Sequence, residues 1–292
     1  VGAYRAVIIT ADDLGLWPEI NDAVMAGYDA GIITTAGLRV SAPAADSAMV
    51  SAAMRPNLDV GLHLVLCDGR STLPHRHVPN LVDSSGRFVE RPLEAAWMYR
   101  MRGGLRDELR AEIRAQIEKF LSVGLFLGYV SSHYNLHLVP SVLSIVEELA
   151  SEYAISAIRK PPGPVWRTCQ SYMTPAWQRM MERVLIRPVL AKGNRRSTAF
   201  LGPDRVELLF PTRPVTEHDV AQRLRSVREG LTEFICHPGS LGAQFDGAGE
   251  QAVVTSRTVR EAIAAAGVEV TSYRELAEGT IGQERPVATA PA

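Results

Sequence analysis

Two adjacent carboxylates, Asp12 and Asp13 in IITADDLG, close an apolar run near the start of the chain. At a strand end, neighbouring side chains leave in different directions, so one carboxylate can ligate a metal ion while the other accepts a proton. The competing reading is that one aspartate caps the helix expected to begin near Pro18. In VGLHLVL, strand alternation sets His63 on the same face as Gly61, the pattern of an inward ligand with room beside it; a hydrogen-bonded core histidine is the alternative. SSHYNLHLVP holds His133 and His137 four residues apart, the spacing of an H-x-x-x-H metal pair on a helix, although Pro140 favours a turn before any helix starts. One of the two is expected to be a ligand, with a pair of solvated loop histidines as the alternative. His237 in CHPG stands between the apolar run EFIC and a Pro-Gly turn, where it is suited to protonate a leaving group or serves the turn alone. Arg159 in AIRKPP can clamp an anionic or polar group, or make a surface ion pair. His75 and His77 have an H-x-H spacing, but their polar, proline-flanked loop PHRHVP points to solvent exposure.

The elements that must position these residues follow from hydrophobic periodicity. Short apolar runs alternate with amphipathic stretches almost from end to end, which predicts repeated βα units and a parallel sheet. Strands are expected near 6–10, 36–40, 59–64, 127–132, 155–159, 233–236 and 268–271, and helices near 18–30, 105–123, 140–152, 175–190, 217–230 and 256–266. The fold class is therefore α/β, an irregular, TIM-like (β/α) barrel of about seven strands. Asp12, Asp13, His63, His133, Arg159 and His237 each fall at or just after the C-terminal end of an expected strand, the barrel face on which active sites are built. Two regions break the rhythm: 68–96 reads as a long loop, and 160–215, rich in Pro, Arg and Trp, as an insertion capping one end. One barrel domain over 1–278 and a disordered tail over 279–292 complete the expected organisation.

Composition removes several function classes. With 31 basic and 32 acidic residues in 292, the formal charge is −1, so the chain lacks the basic footprint a nucleic-acid partner requires. Three widely spaced cysteines, Cys67, Cys169 and Cys236, argue against a disulfide framework and for a reducing compartment. The start VGAYRAVIITADD lacks a signal-peptide pattern, and the apolar stretch around Leu121 to Val130 is too short for a transmembrane segment, so the cytoplasm is the expected location. No dinucleotide fingerprint, Walker A loop or G-x-S-x-G elbow is present.

Taken in order, TADDLG, INDAVMAGYDAGIITTAGLRVSAPAADSA, VGLHLVL, SHYNLHLVP, AIRKPP and EFICHPG resemble the YdjC-like carbohydrate deacetylases, with coverage from about residue 6 to 276. EIRAQIEKF and the histidine segment after it look closest to the subgroup associated with hopanoid biosynthesis; another branch acts on chitooligosaccharides. The resemblance implies a divalent metal, Zn or Mg, held by Asp13, His63 and His133, with Asp12 as general base and His237 as general acid. It places Arg159 near the substrate, and His137 is grouped there with it; it also points to a homodimer. The chain departs from the pattern in its third motif. Relatives generally read S-H-x-H-x-H or A-H-K-H-x-H, whereas Asn135 replaces the middle histidine here and Ser131 stands where an acidic residue or Asn is often found.

The implied activity is metal-dependent hydrolysis of an N-acetyl group from an amino sugar or an N-acetylglucosamine-containing glycoconjugate. Two alternatives stay open: another barrel metallohydrolase, such as a phosphoesterase or sugar isomerase, and an inactive sugar-binding relative, suggested by Asn135.

Overall fold

The computed structural model describes residues 4–160, 199–209, 216–240 and 246–279. Its strands, β1 (Arg5–Leu14), β2 (Thr35–Leu38), β3 (Asp59–Leu64), β4 (Tyr129–Ser132), β5 (Ala157–Ile158), β6 (Arg205–Leu208), β7 (Gly230–Cys236) and β8 (Glu269–Thr271), lie in one sheet. Its order is β5-β4-β3-β2-β1-β7-β6, with β8 paired to β1, and every ladder is parallel. A parallel bridge from Ala157 to Leu201, just before β6, links the two edge strands and curls the sheet into an irregular barrel.

Helices α1 (Pro18–Asp29), α2 (Ala45–Ala53), α3 (Pro92–Met101), α4 (Arg106–Leu121), α5 (Pro140–Glu152), α6 (Glu217–Arg225), α7 (Gly247–Val254), α8 (Arg257–Ala265) and α9 (Tyr273–Ala277) supply the connections. In α4, Leu109, Ile113, Ile117 and Phe120 recur at helical spacing and are buried. On another face, Arg106, Arg110 and Arg114 pair with Glu148 and Glu152 of α5. The sheet's outer face and the helices share the main hydrophobic core, while a second cluster of Ala6, Ile8, Tyr129, Ala157, Leu231 and Tyr273 fills the lumen.

Within β3, Asp59, Gly61 and His63 share one face through the two-residue period of a strand. Gly61 is required there. A Cβ on it would stand 2.1 Å from the Tyr129 ring, which crosses the lumen and stacks on Tyr273 with centroids 4.2 Å apart.

The stretch expected as a loop over 68–96 ends sooner, because Pro92 opens α3 as its first helical residue. Before it, antiparallel bridges Arg70–Arg87 and Val82–Phe88 and a short 3-10 turn at His75–His77 give the loop internal structure. Buried Glu112 of α4 also anchors it, accepting the backbone N–H groups of Thr72 and Leu73 at 2.7 and 3.0 Å. Part of the segment expected as an insertion over 160–215 is β6, a sheet strand. The helix expected near 175–190, Cys169 and the tail from residue 280 lie outside the described residues.

Asp59 carries a stability consequence. It is fully buried, one carboxylate oxygen accepts the Arg274 N–H at 2.8 Å, and Oδ1 has no hydrogen-bond partner. Burial pushes its carboxyl up to about 6. The folded state therefore holds this proton more tightly than the unfolded chain, so the Asp59 contribution to stability is present in full below about pH 4 and is lost as pH rises through about 6. A shift of this size corresponds to about 3 kcal/mol. Urea unfolding of Asp59→Asn across this range should show that part of the decline removed; an unchanged pH profile would refute the assignment.

Candidate active site

The Asp12–Asp13 pair leaves β1 through a bulge. Ala11 pairs with Ala36 and Leu14 with Leu38, so β1 spends one more residue than β2 over this interval. Asp13 takes a left-handed φ of 65°. A bulge re-aims side chains at a strand end, which is why adjacent carboxylates reach different partners. The turn is held from α1: the Asn21 carboxamide accepts the Gly15 N–H at 2.7 Å and donates to Ala44 O at 3.0 Å. Trp17 occupies the N-cap of α1 without a side-chain cap bond, so neither aspartate has the capping role.

Asp12 meets Arg159, which follows β5. Arg159 Nη1 and Nη2 donate to the two Asp12 oxygens at 2.7 and 2.9 Å. The other side of the guanidinium is bound by Glu233 of β7, whose carboxylate also accepts from Thr10 and Tyr273, each at 2.7 Å. Arg159 is 1% exposed. Burial raises the Asp12 carboxyl, but Arg159 and then His63 outweigh it and hold the group below the usual carboxylate range. Burial works against the Arg159 charge, yet Asp12 and Glu233 keep it firmly protonated.

Asp13 faces the two histidines of the sequence motifs. Its Oδ1 lies 3.8 Å from His63 Nε2 and 3.6 Å from His133 Nδ1, and one ligand atom from each of the three residues falls within 4.8 Å of the others. Ligands bound about 2.1 Å from one tetrahedral ion stand roughly 3.4 Å apart, so the set fits a divalent cation in both spacing and chemistry. Arg39, just beyond β2, donates to the same Asp13 oxygen at 3.2 Å. Burial raises the Asp13 carboxyl, but Arg39, His133 and His63 hold it well below its ordinary range. For His63, burial pushes the imidazole down to about 4 despite the pull of Asp12 and Asp13, leaving it neutral, as a ligand must be, at physiological pH. Ser131 Oγ is 2.9 Å from His63 Nδ1, so this departure from the family pattern fixes the ring from behind.

The segment after β4 sends its two histidines apart. His133–Leu138 is 3-10 turn broken by left-handed Tyr134 and Asn135, with φ of 53° and 54°. Asn tolerates that conformation better than most residues, which gives Asn135 a conformational reason. His133 reaches the cluster, whereas His137 is fully buried: its Nε2 faces Arg159 O at 2.8 Å and Ser132 Oγ lies 2.6 Å from Nδ1. Burial pushes it down to about 3, so it is neutral. A carbonyl partner makes Nε2 the donor and Nδ1 the acceptor. Both residues expected beside the substrate, Arg159 and His137, are buried, Arg159 against Asp12 and His137 against the Arg159 carbonyl.

His237 follows β7, with its backbone N–H donated to Glu250 Oε2 at 2.5 Å, and it adds a small downward pull on the Asp12 and Asp13 carboxyls. The turn after it needs Gly239, at φ 74°: a Cβ there would approach Glu19 O to 2.7 Å. His77 and His218 are exposed, and His75 Nδ1 lies 3.1 Å from Val82 O within the loop. Sequence reasoning missed Arg39, Glu233 and Glu250. Arg39 and Glu233 had a signal, a charge inside an apolar run; Glu250 had none.

Residues 6–265 match the model of the YdjC-like protein family. The chain belongs to the YdjC-like family. Among similar proteins, the carbohydrate deacetylase of Geobacillus stearothermophilus is 29% identical over 93% of this chain and 98% of its own. That of Vibrio parahaemolyticus serotype O3:K6 is 26% identical over 92% and 96%. A crystal structure of an Enterococcus faecalis V583 protein named for cellobiose-phosphate cleavage superposes with a TM-score of 0.70 at 22% identity, covering 94% of this YdjC-like chain and 99% of that one, which supports the barrel architecture.

Proposed function

We propose that the protein is a metal-dependent carbohydrate deacetylase that hydrolyses the N-acetyl group of an amino sugar or an N-acetylglucosamine-containing glycoconjugate. The observation that carries this reading is the convergence of Asp13, His63 and His133 within 4.8 Å at the barrel mouth, with the separate carboxylate of Asp12 on the adjoining residue. Full-length similarity to carbohydrate deacetylases supplies the substrate class.

Asp13, His63 and His133 would hold the ion, with Zn2+ or Mg2+ as the proposed identity. When bound, a divalent ion polarises an amide carbonyl and acidifies water. Asp12, kept ionised by Arg159, accepts the water proton. His237 gives a proton to the departing nitrogen, which would otherwise leave as an amide anion. Arg159 orients the base, and His137 holds the Arg159 carbonyl in place. We place the enzyme in the cytoplasm, on its three widely spaced cysteines, and as a homodimer, on the family resemblance. No helix among the described residues is long and apolar enough to cross a membrane.

A two-metal phosphoesterase is disfavoured because the described residues hold a single cluster of suitable ligands. Asn135 lies outside that cluster, so it gives no reason to expect inactivity. The test combines metal analysis with free-amine release from a panel of N-acetylated sugars and glycoconjugates. Ion-dependent amine release is expected; a metal-loaded protein releasing none across the panel would overturn the reading.

A further inference from the structure

Beyond the three ligands, the structure assigns a positioning role to Asp68: with Tyr134, it fixes the His133 ring so that Nδ1 faces the cation site and Nε2 carries the proton. The inference rests on the metal-binding part of the proposed function, and on five features of the loop after β3 and the turn after β4.

The two nitrogens of His133 face different carboxylates: Nδ1 lies 3.6 Å from Asp13 Oδ1, while Nε2 lies 3.7 Å from Asp68 Oδ2. Tyr134 grips both partners, its ring centroid 4.1 Å from that of His133 and its hydroxyl donating to Asp68 Oδ2 at 3.4 Å. Asp68 is placed by its backbone, the N–H donating to Val89 O at 3.0 Å and the carbonyl accepting from Arg39 Nη2 at 3.0 Å. The same Arg39 guanidinium donates to Asp13, tying the ligand and the loop together. Finally, Asp68 and Tyr134 have φ of 47° and 53°; with Asp13 and Asn135 they are four of the five described non-glycine residues at positive φ. Strain gathered at one corner is characteristic of a site whose geometry the surrounding structure imposes.

The chemistry gives this arrangement a purpose. A metal-ligating imidazole needs its lone pair on the nitrogen facing the ion, and a carboxylate accepting the other N–H selects that tautomer, orients the ring and makes it a better donor. His63 receives such support from Ser131, on Nδ1 rather than Nε2. Each histidine would therefore bind through the nitrogen nearer Asp13 and be steadied through the other. Removal of a supporting partner of this kind typically weakens metal affinity about 10- to 100-fold.

The experiment titrates the ion-free full chain with Zn2+ against a chromophoric chelator. Asp68→Ala should weaken binding about 10- to 100-fold. Asp68→Asn should lose less, because its amide oxygen still accepts an N–H and Asn tolerates the left-handed backbone; Tyr134→Phe, which keeps the ring and loses the hydroxyl, should also lose less. Long-range 1H–15N spectra of histidine-labelled, Zn2+-loaded wild type supply a readout that a merely structural role would not move. They should show His133 metallated at Nδ1 and protonated at Nε2, and they decide the matter even if Asp68→Ala fails to fold. Wild-type affinity in a folded Asp68→Ala protein, or His133 metallated at Nε2, would overturn the proposal. None of these readouts uses turnover. A chain that binds Zn2+ in this manner but deacetylates nothing keeps the Asp68 assignment and loses the deacetylase reading; amine release with Asp68-independent binding does the reverse.

Discussion

Asp12→Asn should retain the divalent ion and lose turnover by about 100- to 10,000-fold, the usual worth of a positioned proton acceptor. Asp13→Ala and His63→Ala should instead lose ion and turnover together. The distinction follows from the bulge at the end of β1, which sends one carboxylate to the histidine cluster and the other to Arg159. Asn preserves the volume of Asp12 and one acceptor oxygen but cannot take a proton at neutral pH. Metal content measured beside amine release separates the variants. Full activity in Asp12→Asn would remove that residue from the chemistry, and a normally loaded, active Asp13→Ala would remove the metal assignment.

The readable parts of the fold were those written in local pattern. The apolar run before the aspartate pair, the Gly61–His63 alternation and the amphipathic repeat of α4 appear as expected, and β3 and α5 span the stretches anticipated for them. The floor of the site was less visible because it joins distant residues. Arg159 and Glu233 are 74 positions apart, and their meeting depends on barrel closure, which no local periodicity encodes. An arginine at a strand end thus read equally well as a substrate clamp or a surface partner, whereas closure makes it a buried brace. His137 was ambiguous for a related reason. Its spacing from His133 suggested one shared face, but two left-handed residues between them send the side chains opposite ways. β6 was hidden by its surroundings: its four residues, RVEL, lie in a stretch whose prolines and arginines read as loop. β8 shows the limit of strand counting, since it joins β1 beside the main path rather than extending an edge.

The largest stability effect is expected from Arg159→Met. Arg159 stands between two buried carboxylates, donating to both oxygens of Asp12 and, through Nε and Nη2, to Glu233. An apolar replacement fills much of its volume and leaves two uncompensated acids in the lumen, and breaking a buried ion pair from one side typically costs about 3–5 kcal/mol. Arg159→Lys should fail as well, because a single ammonium cannot meet two carboxylates on separate edges of a planar fork. The origin of the loss can be tested by adding Glu233→Gln to Arg159→Met. That removes one stranded charge: the Gln oxygen still accepts from one of the Thr10 and Tyr273 hydroxyls, and its amide can donate to the oxygen of the other, so part of the lost stability should return in urea unfolding. Dependence on pH gives an independent check. Asp12 is held below its unfolded range by Arg159, so wild type has this contribution in full above about pH 4 and loses it as pH falls through the lower folded value. In Arg159→Met the sign reverses: burial without the guanidinium favours the protonated acid, and the variant should gain stability relative to wild type on acidification. A destabilisation below about 1 kcal/mol, the scale of a surface pair, or a constant difference across pH would show that the Arg159 network does not hold the barrel floor.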